Sequence, residues 1–496
     1  MERYREPKYR TIYEAEENEL EMLREKSEKS YWKPAFHIHP QFGLLNDPNG
    51  LAYFNGEFHI FYQWYPFSAM HGMKHWAHVK SVDLVNWKRL PVALVPVEDY
   101  ESHGAYSGAS LEVAGKLYLY YTGNIKYSAM DRSANQCLAI MDKDGKIQKY
   151  ENNPIINGVP NGYTGHVRDP KVFEKNGRYY MLLGAQRADL SGAIIIYESE
   201  NALDWTFKGE LNLQIDFPES VYMLECPDYF ELNGKDVMVF SPQGLKAQGH
   251  DYHNLYNVIY VTGKLDIDTL HYEVEHYQEL EKGFDFYAPQ TFAGKNNERL
   301  LFAWAGMGEI NYPSDQEEWA HCLSIPRELK IIDGKLVQRP SGALKQLRRD
   351  SHSKTITIES GTKCMDQGIG QHELEFEFDA VEATRFGIEL FASDTEGLVL
   401  EFDREKQTVR LDREKFESAF GGEYGFMRSS DLRIESCVKV QVFVDHSIAE
   451  LFINDGEVVF TARVFPKKDS KGVKVFSNGK ANCIYTKHAL KQGIIR

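Results

Sequence analysis

Nothing in this sequence calls for a disulfide framework, a metal cluster or a membrane. The six cysteines (Cys137, Cys226, Cys322, Cys364, Cys437 and Cys483) are spread over 496 residues with no CxxC or similar spacing. That is too sparse for a disulfide scaffold. No run of about 18 apolar residues occurs, so no helix is expected to cross a bilayer. Residues 1–32 carry dense charge and no apolar stretch, unlike a secretory signal. The pairs His37/His39 and His75/His78 stand without an HExxH or comparable spacing, so neither a metal nor another cofactor is expected. Clustered Lys and Arg are also missing: 57 basic residues face 73 acidic ones, a net charge of −16. Nucleic acid and anionic membrane surfaces are therefore excluded as partners. A small phosphorylated ligand is not, because two or three local cations hold one phosphate. A reduced cytoplasm is the expected compartment, and the oligomeric state is not legible.

Aromatics, by contrast, are plentiful, with 29 Tyr and 28 Phe making up most of a 13% aromatic fraction. They suit strands and also stacking against sugars. The length exceeds what one hydrophobic core usually serves. Residues 1–34 read as a helical extension, with a surface helix from about Thr11 to Ser30 whose stripe packs on the body. From residue 45 short alternating runs take over, and five segments align: NDPNGLAYFNGEFHIFYQ, AYSGASLEVAGKLYLYYT, VRDPKVFEKNGRYYMLLG, LECPDYFELNGKDVMVFS and FYAPQTFAGKNNERLLFA. Each is a strand, a Gly-containing turn and a second apolar strand, and three turns are Asn-Gly, the strongest short hairpin signal. The turn glycines, at 56, 115, 177, 234 and 294, recur about every 60 residues, which leaves room for two more strands per repeat. This spacing predicts an all-β fold with a five-bladed β-propeller over residues 35–340; a solenoid would use shorter, capped repeats. After a connector at 341–353, alternation in HELEFEFDAV, GIELFAS, LVLEFD, VKVQVFVDHSIAELFIND and EVVFTARVF predicts a β-sandwich over 354–496.

The repeats locate the chemistry. Asp47, Asp169 and Glu225 precede the turn glycines Gly56, Gly177 and Gly234 by nine, eight and nine residues. The strand before each hairpin is the innermost of its blade, so three carboxylates converge at one depth of a central funnel. Carboxylates gathered beside apolar strands push one another's pKa apart. One protonated acid and one ionised partner is what glycosidic cleavage requires. The same trio could hold Ca²⁺ or Mg²⁺ instead, or cap strand ends and pair with Arg.

At these residues the chain resembles glycoside hydrolase family 32, the invertases, fructanases and sucrose-6-phosphate hydrolases. FHIHPQFGLLNDPNGL (36–51) is similar to the family's sucrose-binding box, Arg168-Asp169-Pro170 to its RDP motif and Glu225-Cys226-Pro227 to its EC motif. Tyr106-Ser107-Gly108 stands where the family has Phe-Ser-Gly, and SIAELFINDGEVVFTARVFP resembles its C-terminal signature. The resemblance covers nearly all of the chain after residue 35. It implies a retaining β-fructofuranosidase with Asp47 as nucleophile, Glu225 as acid and base, and Asp169 binding fructose hydroxyls. Arg168 would hold Asp169 charged, as a bidentate partner. Leu44, Leu45, Asn46, Gln63, Tyr106, Ser107 and Trp304 would line the substrate pocket. Where extracellular members carry Trp-Gly, this chain has His71-Gly72-Met73-Lys74-His75. A more cationic rim points to sucrose 6-phosphate, with His71, Lys74 and His75 near the phosphate and Arg187, Lys246 and His250 as further candidates. The alternatives are a cytoplasmic β-fructosidase for sucrose or short fructooligosaccharides, a fructosyltransferase, an inverting arabinan-type enzyme and a silent propeller lectin.

Overall fold

The computed structural model describes residue 4, residues 6–379 and residues 382–495. The last two residues of the HELEFEFDAV run lie outside these. Five antiparallel four-stranded meanders follow one another along the chain, each a blade. Their innermost strands are Gly43–Phe54, Ala105–Val113, Tyr163–Lys175, Met223–Leu232 and Tyr287–Ala293. Each inner strand contacts the next in order, and the fifth returns to the first. The ring is fastened where Trp319–Ala320 pairs in parallel with Gly43 and Leu44.

The first four hairpins turn through two residues at positive φ: Asn55-Gly56, Ala114-Gly115, Asn176-Gly177 and Asn233-Gly234. This backbone matches the twist of the flanking strands, and Asn-Gly adopts it at least cost. The fifth hairpin differs. Gly294 begins a longer connection in which Asn297 takes the left-handed conformation.

The N-terminal helix covers Glu19–Glu28, preceded by a single 3₁₀ turn at Ile12–Glu14. It is shorter than the expected span because Asn18 interrupts it in the left-handed conformation. Ile12, Leu20 and Leu23 pack onto the propeller.

Two six-stranded sheets form the sandwich around their own apolar core. Its first strand, Arg348–Ile358, begins inside the segment read as a connector. Phe36, Val85 and Ile325 of the propeller meet Phe443, Phe452 and Val459 of the sandwich. A buried polar cluster spans the same interface. Asp445 accepts the backbone N–H groups of Ala35, Phe36 and His37, and the His37 ring bridges Asp445 and Glu450 at 2.9 and 3.0 Å. Glu450 also pairs with the fully buried Arg327. Burial opposes charge on His37, yet the two carboxylates hold its pKa above the ordinary value. The chain then returns to blade 1, where Ile494 and Ile495 pair with Trp87 and Lys88.

Candidate active site

Every inner strand is broken at the same level. Register shifts fall between Leu45 and Pro48, Ala105 and Gly108, Arg168 and Lys171, Glu225 and Asp228, and Tyr287 and Gln290. A bulge inserts an unpaired residue, bends the strand and re-aims a side chain. Asp169 at φ 66°, Cys226 at φ 48° and Ala288 at φ 46° occupy left-handed backbone at three of these breaks. Strained geometry of this kind persists only where the surrounding fold over-determines it. One functional group emerges from each blade: Asp47, Ser107, Asp169, Glu225 and Tyr287.

These groups meet in a cavity of about 380 Å³. Asp169 is buried, whereas Asp47 and Glu225 are partly open to the cavity. The Cys226 sulfur lies 3.9 Å from Asp47 Oδ2 and 3.6 Å from Asp169 Oδ2, so the two carboxylates face each other across it. Asp169 Oδ2 accepts the Cys226 backbone N–H at 3.0 Å. Asp47 is held by a relay. Asn46 donates to Gln63, Gln63 donates to Ser107 at 2.7 Å, and Ser107 donates to Asp47 Oδ2, while Asn46 Nδ2 reaches Asp47 Oδ1 at 3.2 Å. Glu225 is surrounded by donors: Arg168 Nε at 2.9 Å, Gln243 Nε2 at 2.8 Å and the Tyr287 hydroxyl at 2.6 Å.

Burial raises the Asp47 pKa and nearby Glu225 adds to it, against the Ser107 and Asn46 hydrogen bonds. Asp169 is also raised, chiefly by burial, with Glu225 and Asp47 pushing the same way and Arg168 opposing. Arg168 serves a different partner from the one expected. Its Nε and Nη2 donate to Glu225, and its approach to Asp169 is only 3.9 Å. The guanidinium therefore sits between two carboxylates rather than clamping one.

Asn46, Gln63, His71, Lys74, Tyr106, Ser107, Arg168 and Trp304 all line the cavity. Asn46 Oδ1 and Trp304 Nε1 are buried there and make no hydrogen bond within the protein, which leaves an acceptor and a donor for a polar ligand. Several expected residues lie elsewhere. Leu44 and Leu45 are packed into two different apolar cores, because strand alternation sends consecutive side chains to opposite faces of the blade. His75 has both ring nitrogens engaged: Nε2 accepts from the Ile12 N–H at 3.1 Å and Nδ1 meets the Met73 carbonyl at 3.0 Å. Burial lowers it to about 4, so it supplies no cation. Arg187 pairs with Glu210, and His250 hydrogen-bonds Ser429 of the sandwich. Neither they nor the exposed Lys246 line this cavity.

Tyr287, Gln243, Tyr256, Lys8, Tyr9, Lys126 and Arg132 line it without having been expected to. Tyr287 was within reach, since it opens the fifth repeat where the others carry a carboxylate or Ser107. Gln243 lies at the far end of the second strand of blade 4 and carries no local signal. Among the described residues no group of three or more His, Cys, Asp or Glu is arranged to hold a metal ion.

A curated relative, sucrose-6-phosphate hydrolase from Staphylococcus xylosus, is 40% identical over 489 residues, 98% of each chain. The Bacillus subtilis sucrose-6-phosphate hydrolase is 37% identical, covering 90% of this chain and 91% of its own. Among solved structures, sucrose-6-phosphate hydrolase from Lactobacillus gasseri matches with a TM-score of 0.90 and 35% identity, over 99% of this chain and all of that one. A Bombyx mori GH32 β-fructofuranosidase mutant in complex with sucrose matches at TM-score 0.80 and 28% identity, over 97% and 99% of the two chains. The family models for the glycosyl hydrolases family 32 N-terminal domain and C terminal match residues 37–340 and 343–491. With both halves matched and close relatives aligned almost end to end, this chain is a member of glycosyl hydrolases family 32.

Proposed function

We propose that this enzyme hydrolyses sucrose 6-phosphate, and sucrose less efficiently, to fructose and glucose 6-phosphate or glucose, with retention at the fructosyl C2. The supporting observation is the set of three carboxylates in one cavity, each with a different hydrogen-bond environment. Asp47, aligned by Ser107 and Asn46, attacks C2 as the bond to the glucosyl oxygen breaks, giving a covalent fructosyl–enzyme. Glu225 gives its proton to that departing oxygen. It then takes a proton from water, which attacks C2 and releases Asp47. The Gln243, Tyr287 and Arg168 donors stabilise the ionised form Glu225 holds between these steps. Asp169 accepts fructose hydroxyl hydrogen bonds that strengthen in the transition state. The names of the curated relatives support the phosphorylated substrate, and a phosphorylated substrate supports a cytoplasmic setting.

The test is kcat/KM on sucrose 6-phosphate against sucrose, with the anomer of the first-formed fructose read by NMR. The expected preference is about tenfold or more, equivalent to one well-formed phosphate contact. A ratio near one sinks the phosphate reading, and first-formed α-fructofuranose sinks retention.

A further inference from the structure

Lys126 and Arg132 face each other as the last paired residues of the blade 2 hairpin formed by Lys116–Lys126 and Arg132–Met141. Directly opposed side chains on a ladder are close neighbours, and like charges there destabilise the pair. Scaffold cations normally offset this with a carboxylate. Arg187 has Glu210, Lys171 has Asp228 at 2.8 Å and Lys175 has Asp236 at 3.2 Å. Among the described residues, neither Lys126 nor Arg132 has a carboxylate within 4.0 Å, in a chain of net charge −16. Both line the catalytic cavity, and both are held in place by neutral groups. Arg132 reaches the Tyr106 hydroxyl and His166 Nδ1, each at 3.3 Å. Lys126 lies 5.4 Å from the Tyr9 ring centre.

The N-terminal extension completes the arrangement. The Tyr4 N–H donates to the Lys126 carbonyl at 3.1 Å and the Met73 N–H to the Lys8 carbonyl at 3.0 Å. These bonds bring Tyr9 and Lys8 to the same cavity, Lys8 being paired with Glu6 at 2.8 Å. Lys74, the cation expected at this task, is occupied otherwise. It is 5% exposed, and its Nζ donates to His71 Nδ1 at 2.9 Å.

We infer that Lys126 and Arg132 form the subsite that binds the phosphate of the sugar phosphate, in the same cavity as the carboxylates. A planar guanidinium and a point-charge ammonium side by side present the several donors that a phosphate dianion accepts. The dianion in turn relieves the repulsion between them. This assignment rests on the proposed substrate and names the residues that would select it.

Lys126→Gln and Arg132→Gln would be compared with wild type for kcat/KM on sucrose 6-phosphate and on sucrose, and for inhibition by glucose 6-phosphate and glucose. Each substitution is expected to reduce the ratio of the two kcat/KM values by about ten- to hundredfold. It should raise the inhibition constant of glucose 6-phosphate by a similar factor and leave that of glucose in place. Lys126→Arg should keep most of the ratio, and thermal midpoints report folding. An unchanged ratio in variants of a wild type that prefers sucrose 6-phosphate overturns the subsite alone. Equal losses on both sugars overturn it as a phosphate site. A wild type with no preference for the phosphorylated sugar overturns the substrate, and this assignment with it.

Discussion

Replacing Arg168 with methionine keeps much of the side-chain volume and removes the guanidinium that lies between Glu225 and Asp169. Arg168 Nε lies 3.9 Å from Asp169 Oδ2. At an effective dielectric of about 20, that separation corresponds to an attraction of about 4 kcal/mol, or about three pH units. Protons shared among the three acids and water entering the vacated space recover part of it, so the expected net shift is about one unit. The direction is set by charge. Burial already raises Asp169, Glu225 and Asp47 push it further, and Arg168 alone among its neighbouring charges pulls it back. In the proposed mechanism Asp169 acts in its ionised form, so the acid limb of kcat/KM should move to higher pH in Arg168→Met. At neutral pH the loss should be about 10²- to 10³-fold, typical of deleting one preorganised electrostatic contact. The assay is initial-rate kinetics on sucrose across the acid range, with thermal unfolding at each pH. An acid limb that stays in place, in a variant that folds and has lost rate, would refute the electrostatic account of Arg168.

Two further outcomes follow from the hydrogen-bond network. Ser107→Ala removes the donor to Asp47 and the acceptor of Gln63; kcat should fall about ten- to hundredfold with little change in melting temperature, and a kinetically silent variant would show that the relay does not align Asp47. Arg327→Met strands Glu450 in a buried interface, where, among the described residues, His37 and the Ile325 N–H still reach it. The cost should be about 3–5 kcal/mol in chemical denaturation, and Arg327→Met with Glu450→Leu should recover most of it; a single variant as stable as wild type would contradict the assignment.

The reach of the sequence is clearest at the site. Asp47, Asp169 and Glu225 could be placed together because hairpin turns mark a nearly constant position on each blade. The same reasoning failed at Leu44 and Leu45, which share the motif but are packed in two apolar cores, one on each face of the strand. It failed also at His75, whose ring is consumed by the backbone of Ile12 and Met73. No local pattern reports that a side chain's hydrogen bonds are already spent.

What the sequence determined alone is whatever depends on local backbone chemistry: positive-φ turns at Asn-Gly, strand alternation, a period near 60 residues, and hence a ring that gathers three carboxylates. What only the tertiary structure decided depends on which distant groups meet. Bulges on all five inner strands aim the functional groups, and Arg168 serves Glu225 more closely than Asp169. A fifth-blade tyrosine and a fourth-blade glutamine complete the donor set around Glu225, and the N-terminal extension joins the Lys126–Arg132 pair at the cavity. Electrostatic energies vary with distance and burial, and residues far apart in the chain acquire both only when the ring closes.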